Sequence, residues 1–281
     1  MALTRAFEEH EVPPELKRIY SDIRISFDLP FVPTVFKLLA ARPEYLKLMW
    51  SDLGHVARSK EFHMAARALE EFVRSLAING GWQFSDQEKV LAAQKFSLDD
   101  IQAMASLPPI FTRTLCQMAI FTRLMQRGYA GGQRGRVSDA RLASALSRML
   151  SLNVPNERES GLRVWLIYSD IKKTTGSRVV LSMFRLLSPF PGYLASFWLD
   201  TKKTLAEPAF LQARDTVAKR VTALLVGLPV KDHRGAGKAI TSADWREIEE
   251  TVDGFARVLP QFVLLSAVWQ RSFALVHWAA A

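Results

Sequence analysis

The chain has 281 residues, of which 49% are apolar, and its 37 basic and 28 acidic side chains leave a net charge of +9. This apolar content can bury a large core, while 14 glycines and 13 prolines are too few for a collagen-like or low-complexity protein. The single cysteine, Cys116, excludes an internal disulfide, a CxxC pair and a cysteine-rich zinc site, and it suits a reducing cytoplasm.

The N-terminal residues MALTRAFEEHEVPPELK contain no apolar segment typical of a secretory signal or an N-terminal anchor. We therefore expect the folded chain to begin near residue 1. Together with the lone thiol, this pattern favours a cytoplasmic location.

Most of the chain has the apolar spacing of amphipathic helices. Residues 60–77 and 208–227 place apolar side chains at i, i+3, i+4 and i+7, and period-two runs of β-branched residues are nearly absent. Serines followed by acidic residues predict three helix starts, because a serine caps the helix and acids suit its positive end. These caps are Ser97, Ser138 and Ser242. The sequence predicts an all-α protein.

The densest basic stretch is residues 123–148, with four glycines in RGYAGGQRGR. Tyr129 is its only interleaved aromatic residue, and the stretch matches no helix-turn-helix, RRM or zinc-finger pattern. We interpret residues 127–160 as a solvated linker and expect no nucleic-acid partner.

The two halves of the chain are related in sequence. Residues 20–52 align with residues 168–200 at a constant offset of 148 and without a gap. The block contains many more identities than the roughly two that ordinary composition would produce. The identical pairs include Tyr20/Tyr168, Ser21/Ser169, Asp22/Asp170, Ile23/Ile171, Phe36/Phe184, Leu38/Leu186, Leu39/Leu187, Pro43/Pro191, Tyr45/Tyr193, Leu46/Leu194, Trp50/Trp198 and Asp52/Asp200.

A second related block follows in each half. FSLDD at 96 and TSADW at 241 open helical stretches, and the Leu-Pro pairs that begin at Leu107 and Leu259 lie at an offset of 152. Two copies with a period of about 150 residues indicate a duplicated domain rather than a solenoid. We predict two helical repeats, residues 1–126 and 161–281, that form an intramolecular pseudo-dimer around the linker.

Residues 258–281 are long enough to cross a bilayer and only weakly charged. They include Gln261, Gln270 and Arg271, which are costly inside a membrane. We predict a buried helix of the bundle here and no membrane partner.

The sequence contains no GxGxxG, P-loop, HExxH or GxSxG motif. The histidines are scattered without the spacing of a metal site. They are His10, His55, His63, His233 and His277. We expect neither a metal nor an organic cofactor. The repeated aspartates, such as Asp22 and Asp170, are expected to be helix caps or pair partners, because residues present in both copies serve the repeat itself.

An ordered series of residues runs through the first half and continues through Phe111 and Phe184 to Gly227-Leu228-Pro229. Its members in the first half are Tyr20, Asp22, Ile23, Arg24, Pro30, Phe31, Leu39, Ala40, Pro43, Tyr45, Leu46 and Trp50. The series resembles the group I α-haloacid dehalogenases, the DehI family, over most of both halves. This resemblance implies an all-α pseudo-dimer with its site in the groove between the repeats.

The fold is more distantly similar to that of the alkylhydroperoxidase D-like proteins. Their peroxidase branch needs a CxxC pair, which the lone Cys116 cannot supply. A buried, inert thiol is the expectation for this residue.

The family resemblance also implies a reaction. Members hydrolyse 2-halocarboxylic acids without a cofactor, and an aspartate in the second half activates the water that displaces halide at C2. Such a displacement needs a base beside the water, donors for the substrate carboxylate and an apolar wall around the halide.

In this sequence the family's base aspartate falls on Met183, and the serine before it falls on Ser182. No residue is therefore assigned as the catalytic base. A methionine thioether cannot take a proton from water, so we expect activity on 2-chloropropionate to be weak or absent.

The other site positions of the family can be carried over in the same way. A pocket tryptophan matches Phe31, a pocket phenylalanine matches Thr34, and an asparagine matches Thr112. The second-half counterpart of that asparagine, a tyrosine, falls near Leu264. With Ser182 and Met183 these residues are predicted to line a pocket for an anionic or apolar small carboxylate.

Three functions stay open at this point. The first is a 2-haloacid dehalogenase-family protein, a hydrolase of carbon–halide bonds by resemblance. The second is a non-catalytic protein that binds a small ligand in the same pocket. The third is an enzyme with a diverged reaction that uses Ser182, Thr34 or Arg178. A homodimer of pseudo-dimers is a further open possibility.

Overall fold

The computed structural model describes residue 3 and residues 5–126, 154–157, 160–230 and 240–277. Within these ranges the chain forms twelve α-helices and no strand, which confirms the all-α prediction. The helices are α1 (Pro14–Phe27), α2 (Thr34–Leu39), α3 (Pro43–Ala57), α4 (Lys60–Asn79), α5 (Gln87–Ala93), α6 (Leu98–Ala105), α7 (Leu107–Gln126), α8 (Leu162–Thr175), α9 (Ser182–Arg185), α10 (Pro191–Leu205), α11 (Pro208–Leu224) and α12 (Ser242–His277).

The helix bounds repeat along the chain. At the offset of 148, both ends of α1 coincide with both ends of α8, and both ends of α3 coincide with both ends of α10. The first residue of α2 coincides with that of α9 in the same way. Helix α11 continues into a 3₁₀ turn, Leu225–Gly227, so that together they cover the same length as α4. The sequence offset is therefore also the offset of the secondary structure.

The helix caps of the block that ends each half follow a different offset from the first block. Ser97 Oγ caps α6 by accepting from Asp100 N at 3.2 Å, and Thr241 Oγ1 caps α12 by accepting from Asp244 N at 3.1 Å. The position numbers of these two caps give an offset of 144, from 241 − 97. The Leu-Pro pairs, at an offset of 152, therefore do not share the register of the helix caps.

This difference between the Leu-Pro pairs and the caps has a simple physical origin. Leu107 opens α7 after a helix break at Ser106, whereas Pro260 lies inside the unbroken helix α12. The two Leu-Pro pairs thus occupy different places in their helices. The cap predicted at Ser242 is wrong by one residue, because the hydroxyl that accepts the N–H belongs to Thr241. Ser97 is confirmed as a cap, and Ser138 lies outside the described residues.

Contacts within the chain define two compact units. Unit 1 comprises Met1–Ala66, Gln117–Val154 and Val221–Arg257, and unit 2 comprises Arg67–Cys116, Pro155–Arg220 and Val258–Ala281. Helices α4, α7, α11 and α12 each contribute residues to both units, so these units are not the contiguous sequence repeats. The division into residues 1–126, 127–160 and 161–281 stays a prediction. Residues 127–153, 158 and 159 of the predicted linker lie outside the described residues.

Each unit has an aromatic core. In unit 1 the ring centroids of five side chains lie 5.2–6.2 Å from their neighbours. These are Phe27, Phe36, Trp50, Phe62 and Phe121. In unit 2 the corresponding distances are 4.7–5.9 Å. These side chains are Phe84, Phe184, Phe197, Trp198, Phe262 and Trp269. The edge-to-face contact between Phe36 and Trp50, at 5.9 Å and 85°, recurs between Phe184 and Trp198 with the same values.

The apolar C-terminal stretch behaves as a core helix. Residues 242–273 are long and apolar enough to cross a membrane by composition, but 83% of the most apolar part is buried inside the protein. Among residues 258–273 only Gln270 and Arg271 are not fully buried. The predicted buried helix is confirmed for this described part.

Candidate functional site

Four of the predicted site residues lie in, or directly after, two short connectors between helices. The first connector, residues 28–33, joins α1 to α2, and the second connector, residues 176–181, joins α8 to α9. Each begins with a residue at positive φ, Asp28 at 54° and Gly176 at 70°, which ends the preceding helix in the left-handed conformation. Aspartate and glycine are among the residues that tolerate this geometry.

In unit 1 the first connector holds Phe31 and leads into Thr34, the first residue of α2. Both side chains are buried, at 1% and 5% relative exposure. The connector ends at the extended Pro33, where φ is −60° and ψ is 145°. Phe31 and Thr34 therefore lie three residues apart where the connector enters α2.

In unit 2 the second connector leads into Ser182 and Met183, the first two residues of α9. They are buried to 6% and 1% relative exposure. At the offset of 148, Thr34 corresponds to Ser182, so a hydroxyl residue opens the short helix in both copies. Met183 corresponds to Val35, which is also 1% exposed. No group within the Met183 side chain can act as a base.

The remaining two predicted residues lie on long helices of unit 2. Thr112 on α7 is fully buried, and its Oγ1 donates to the carbonyl of Pro108 at 2.9 Å. Leu264 on α12 is also fully buried. These two positions are 152 residues apart, and their pairing as counterparts in the repeat stays a prediction.

Aromatic contacts show which helices of unit 2 lie together near these residues. Phe184, next to Met183, contacts Phe262 of α12 with centroids 5.8 Å apart. Phe111, next to Thr112, stacks on Trp269 of α12 at 6.2 Å. Helices α7 and α9 therefore both pack against α12. That all six predicted residues line one pocket stays a prediction.

The carboxylates repeated in the sequence are engaged in structural contacts. In unit 2, Asp170 accepts from Trp198 Nε1 and from Lys202 Nζ, each at 2.8 Å. The hydrogen bond from Lys202 and then that from Trp198 lower the pKa of Asp170 below its ordinary value. Asp200 accepts from Ser85 N and Oγ, each at 3.0 Å. The expectation that these residues are pair partners is confirmed.

Sequence reasoning missed two further carboxylates that contact the connectors. Glu9 Oε1 accepts from Val32 N at 2.9 Å, and Glu157 Oε2 accepts from Val180 N at 3.1 Å. The two glutamates correspond at the offset of 148, from 157 − 9. Val32 and Val180 are another identical pair of the aligned block. Extending the same offset upstream of residue 20 would have revealed the match.

The other carboxylate oxygen of each glutamate contacts a cation in the last turn of the preceding helix. Glu9 Oε2 accepts from Arg24 at 3.3 Å, and Glu157 Oε1 accepts from Lys172 at 2.5 Å. Arg24 and Lys172 also correspond at the offset of 148. The whole arrangement of cation, carboxylate and connector amide is thus present twice.

A buried glutamine contacts the start of each connector. Gln117 Nε2 donates to the carbonyl of Phe27 at 3.1 Å, and Gln261 Nε2 donates to that of Thr175 at 3.3 Å. These carbonyls belong to the last residues of α1 and α8. The glutamines correspond at an offset of 144, from 261 − 117, in agreement with the offset of the helix caps.

Each of the two short helices also carries a buried cation. Lys37 on α2 is 2% exposed and forms an ion pair with Glu8 at 2.6 Å. Arg185 on α9, at the corresponding position, is 3% exposed, and its Nε donates to the carbonyl of Pro155 at 2.7 Å. Among the described residues, no group of three or more His, Cys, Asp or Glu is arranged to hold a metal ion.

The fold and these connectors describe an all-α protein with a duplicated arrangement around two short helices. The chain matches the family model described as "Halocarboxylic acid dehydrogenase DehI" over residues 30–184. It therefore belongs to the DehI family, which confirms the resemblance predicted from the sequence. The matched range contains five of the six predicted site residues and ends one residue after Met183.

Known proteins agree with this assignment. The chain is 24% identical to the (R)-2-haloacid dehalogenase of Pseudomonas putida, covering 94% of this chain and 90% of that protein. It is 20% identical to the (R)-2-haloacid dehalogenase of Rhizobium sp. (strain NHG3), covering 82% and 90%. A solved complex of a D-2-haloacid dehalogenase mutant with D-2-CPA has the same fold, with a TM-score of 0.83, 21% identity and coverage of 97% and 96%.

Proposed function

We propose that this DehI-family protein binds a small 2-substituted carboxylate and does not hydrolyse 2-haloacids at an ordinary enzymatic rate. The observation that carries the proposal is Met183, buried at the second position of α9, where the family resemblance implies the water-activating aspartate. A thioether has no basic group for this task. General base catalysis contributes about 10²–10⁴-fold to a rate, so its loss should lower the rate by about that factor.

The class of ligand follows from the relatives. They are named as 2-haloacid dehalogenases, and a solved neighbour is a complex with D-2-CPA. We assign the hydroxyl of Ser182 to the ligand carboxylate, because it opens α9 directly beside Met183. Thr112 is assigned to the wall of the pocket, because its only hydroxyl proton is already donated to Pro108.

We further propose a cytoplasmic location for the protein. The only cysteine of the chain, Cys116, is buried and free, as suits a reducing compartment. A homodimer stays a prediction, which sedimentation of the purified protein would test.

The first experiment separates binding from turnover. The purified protein is incubated with each enantiomer of 2-chloropropionate, and chloride release is measured beside isothermal titration of the same compounds. We expect saturable heat of binding and no chloride above a heat-inactivated control. Chloride release at an ordinary enzymatic rate would overturn the proposal. The finding that neither enantiomer binds would overturn it as well.

The second experiment restores the base. We expect Met183→Asp to release chloride from 2-chloropropionate, because the new carboxylate stands where the family's base is implied. Val35→Asp is the matched control, since residue 35 occupies the same position of α2 and is equally buried. Met183→Asn buries a similar polar group without a base. Equal chloride release by all three variants would contradict the assigned role of position 183.

A further inference from the structure

We propose that Glu157 and Glu9 are positioning residues, each holding the connector that leads into one of the short helices of the site. The inference rests on the proposed function for the meaning of the site, but the contacts themselves are independent of it. Glu157 contacts the second connector, and Glu9 contacts the first. Neither residue is assigned to the ligand.

The carboxylate of Glu157 acts on the backbone directly before the predicted site residues. It accepts a hydrogen bond from the backbone N–H of Val180, which is two residues before Ser182 and three before Met183. A carboxylate bond to a backbone N–H is charge-assisted and stronger than a neutral one. It therefore restrains the path of the chain where the orientation of α9 is set.

The same carboxylate ties this connector to α8. Lys172 in the last turn of α8 donates to the other oxygen of Glu157. The connector is held at its start as well, because Gln261 donates to the carbonyl of Thr175. Both ends of the second connector are thus fixed by side chains from elsewhere in unit 2.

The repeat supplies an independent argument. Glu9, Arg24 and Val32 form the corresponding contacts in unit 1, with the same separation of 23 residues between glutamate and valine. Other positions next to these contacts differ between the copies, for example Pro33 against Leu181. Retention of the acid, the cation and the amide in both copies indicates that each connector needs this restraint.

A restraint of this kind affects binding because site residues must be held to within about half an ångström of their productive places. Loss of the carboxylate leaves Val180 N without its acceptor and frees the backbone before Ser182. We therefore expect a weaker fit to the ligand and a more exchangeable amide at Val180, even where the fold persists.

The test compares Glu157→Ala, Glu157→Gln and Asp170→Ala. Asp170→Ala is the matched structural control, since it removes a carboxylate of unit 2 that bonds Trp198 and Lys202 but no connector amide. The readouts are hydrogen exchange of the Val180 amide by NMR and titration with (R)-2-chloropropionate. Melting temperature records the purely structural loss.

We expect Glu157→Ala to speed exchange at Val180 by about tenfold and to raise the Kd by a similar factor. Glu157→Gln keeps an oxygen that can accept the amide proton of Val180. We expect its exchange rate at Val180 and its Kd to lie within about twofold of the wild-type values. Asp170→Ala should lower the melting temperature without either change. Unchanged exchange at Val180 in Glu157→Ala, or an equal rise in Kd for Asp170→Ala, would overturn the positioning role.

The outcomes separate the two proposals. If the wild type binds no carboxylate, the proposed function fails, while exchange at Val180 still decides whether Glu157 restrains the connector. If Glu157→Ala does not fold, Glu9→Ala removes the corresponding carboxylate from the first connector, where it accepts from Val32 N. Faster exchange at the Val32 amide in that variant supports the inference, and unchanged exchange refutes it.

Discussion

The indole nitrogen of Trp198 lies 2.8 Å from Oδ2 of Asp170 and donates a hydrogen bond to it. This bond joins α10 to α8. In unit 1, Trp50 donates to Asp22 at 2.7 Å and joins α3 to α1 in the same way. The pair is a unit of the repeat, which explains why both residue types recur in register along the sequence.

Removing the indole donor should destabilise the protein without disrupting its core. We expect Trp198→Phe to lower the free energy of unfolding by about 1–2 kcal/mol, because Asp170 loses a hydrogen bond while a ring still faces Phe184. Urea denaturation measures the loss, and Trp50→Phe is the matched variant of unit 1. A change of less than about 0.3 kcal/mol in both would show that the bond adds no stability.

The pH dependence of stability should reflect Asp170. The hydrogen bonds from Lys202 and Trp198 lower the pKa of this carboxyl below its ordinary value of 3.8. Its contribution to stability is therefore complete above that value and is lost as the pH falls through the lower folded pKa. Urea denaturation of Asp170→Asn at neutral pH and at about pH 3 should give a smaller difference than the wild type. An equal difference contradicts the assignment.

The N-cap of α12 can be located by mutation. We expect Thr241→Ala to cost about 1 kcal/mol, because the amide of Asp244 loses the hydroxyl that accepts its proton. Ser242→Ala, one residue further on, should change stability by only a few tenths of a kcal/mol. Thermal unfolding compares the stabilities of the two variants. A larger loss of stability for Ser242→Ala would show that Ser242 is the N-cap, as the sequence predicted.

The buried ion pair of unit 1 should depend on both partners. We expect Lys37→Met to cost about 3–5 kcal/mol, because the carboxylate of Glu8 is left buried without its cation. The double variant Lys37→Met/Glu8→Leu should recover much of this loss, since neither charge remains. Denaturation of the two single variants and the double variant measures the coupling. Additive losses would show that the two charges do not depend on each other.

Cys116 should be inert in the folded protein. Its side chain is fully buried, and burial raises the pKa of the thiol well above its ordinary value. We expect no labelling by a thiol-specific reagent at about pH 8 until denaturant is added, when one thiol per chain reacts. Rapid labelling without denaturant would show that the surrounding helices open readily.

Much of the fold could be predicted because its signals are carried by residues close together in the sequence. Apolar spacing indicated helices, and identical residues such as Trp50 and Trp198 revealed the duplication. The Leu-Pro dipeptides, at an offset of 152, do not share the offset of 144 that the helix caps show. Whether a helix breaks before that dipeptide, as at Ser106, or continues through Pro260 depends on the packing of the whole helix.

The candidate site was predicted only through the family resemblance. Phe31, Thr34, Ser182 and Met183 are ordinary residue types, and no pattern of spacing marks them. The roles of Glu9 and Glu157 escaped notice because each lies 23 residues from the valine that it contacts, in a part of the chain where the two copies share few identities.

The sequence by itself determined the all-α class and the duplication at an offset of 148, and through the family resemblance it predicts that Met183 takes the place of the base. These properties belong to residue identity and local periodicity. Only the tertiary structure decided that Glu9 and Glu157 hold the two connectors, that Thr112 gives its proton to Pro108 and that the last block is offset by 144. Those facts depend on which groups folding brings within hydrogen-bond distance, and a linear sequence carries no such distances.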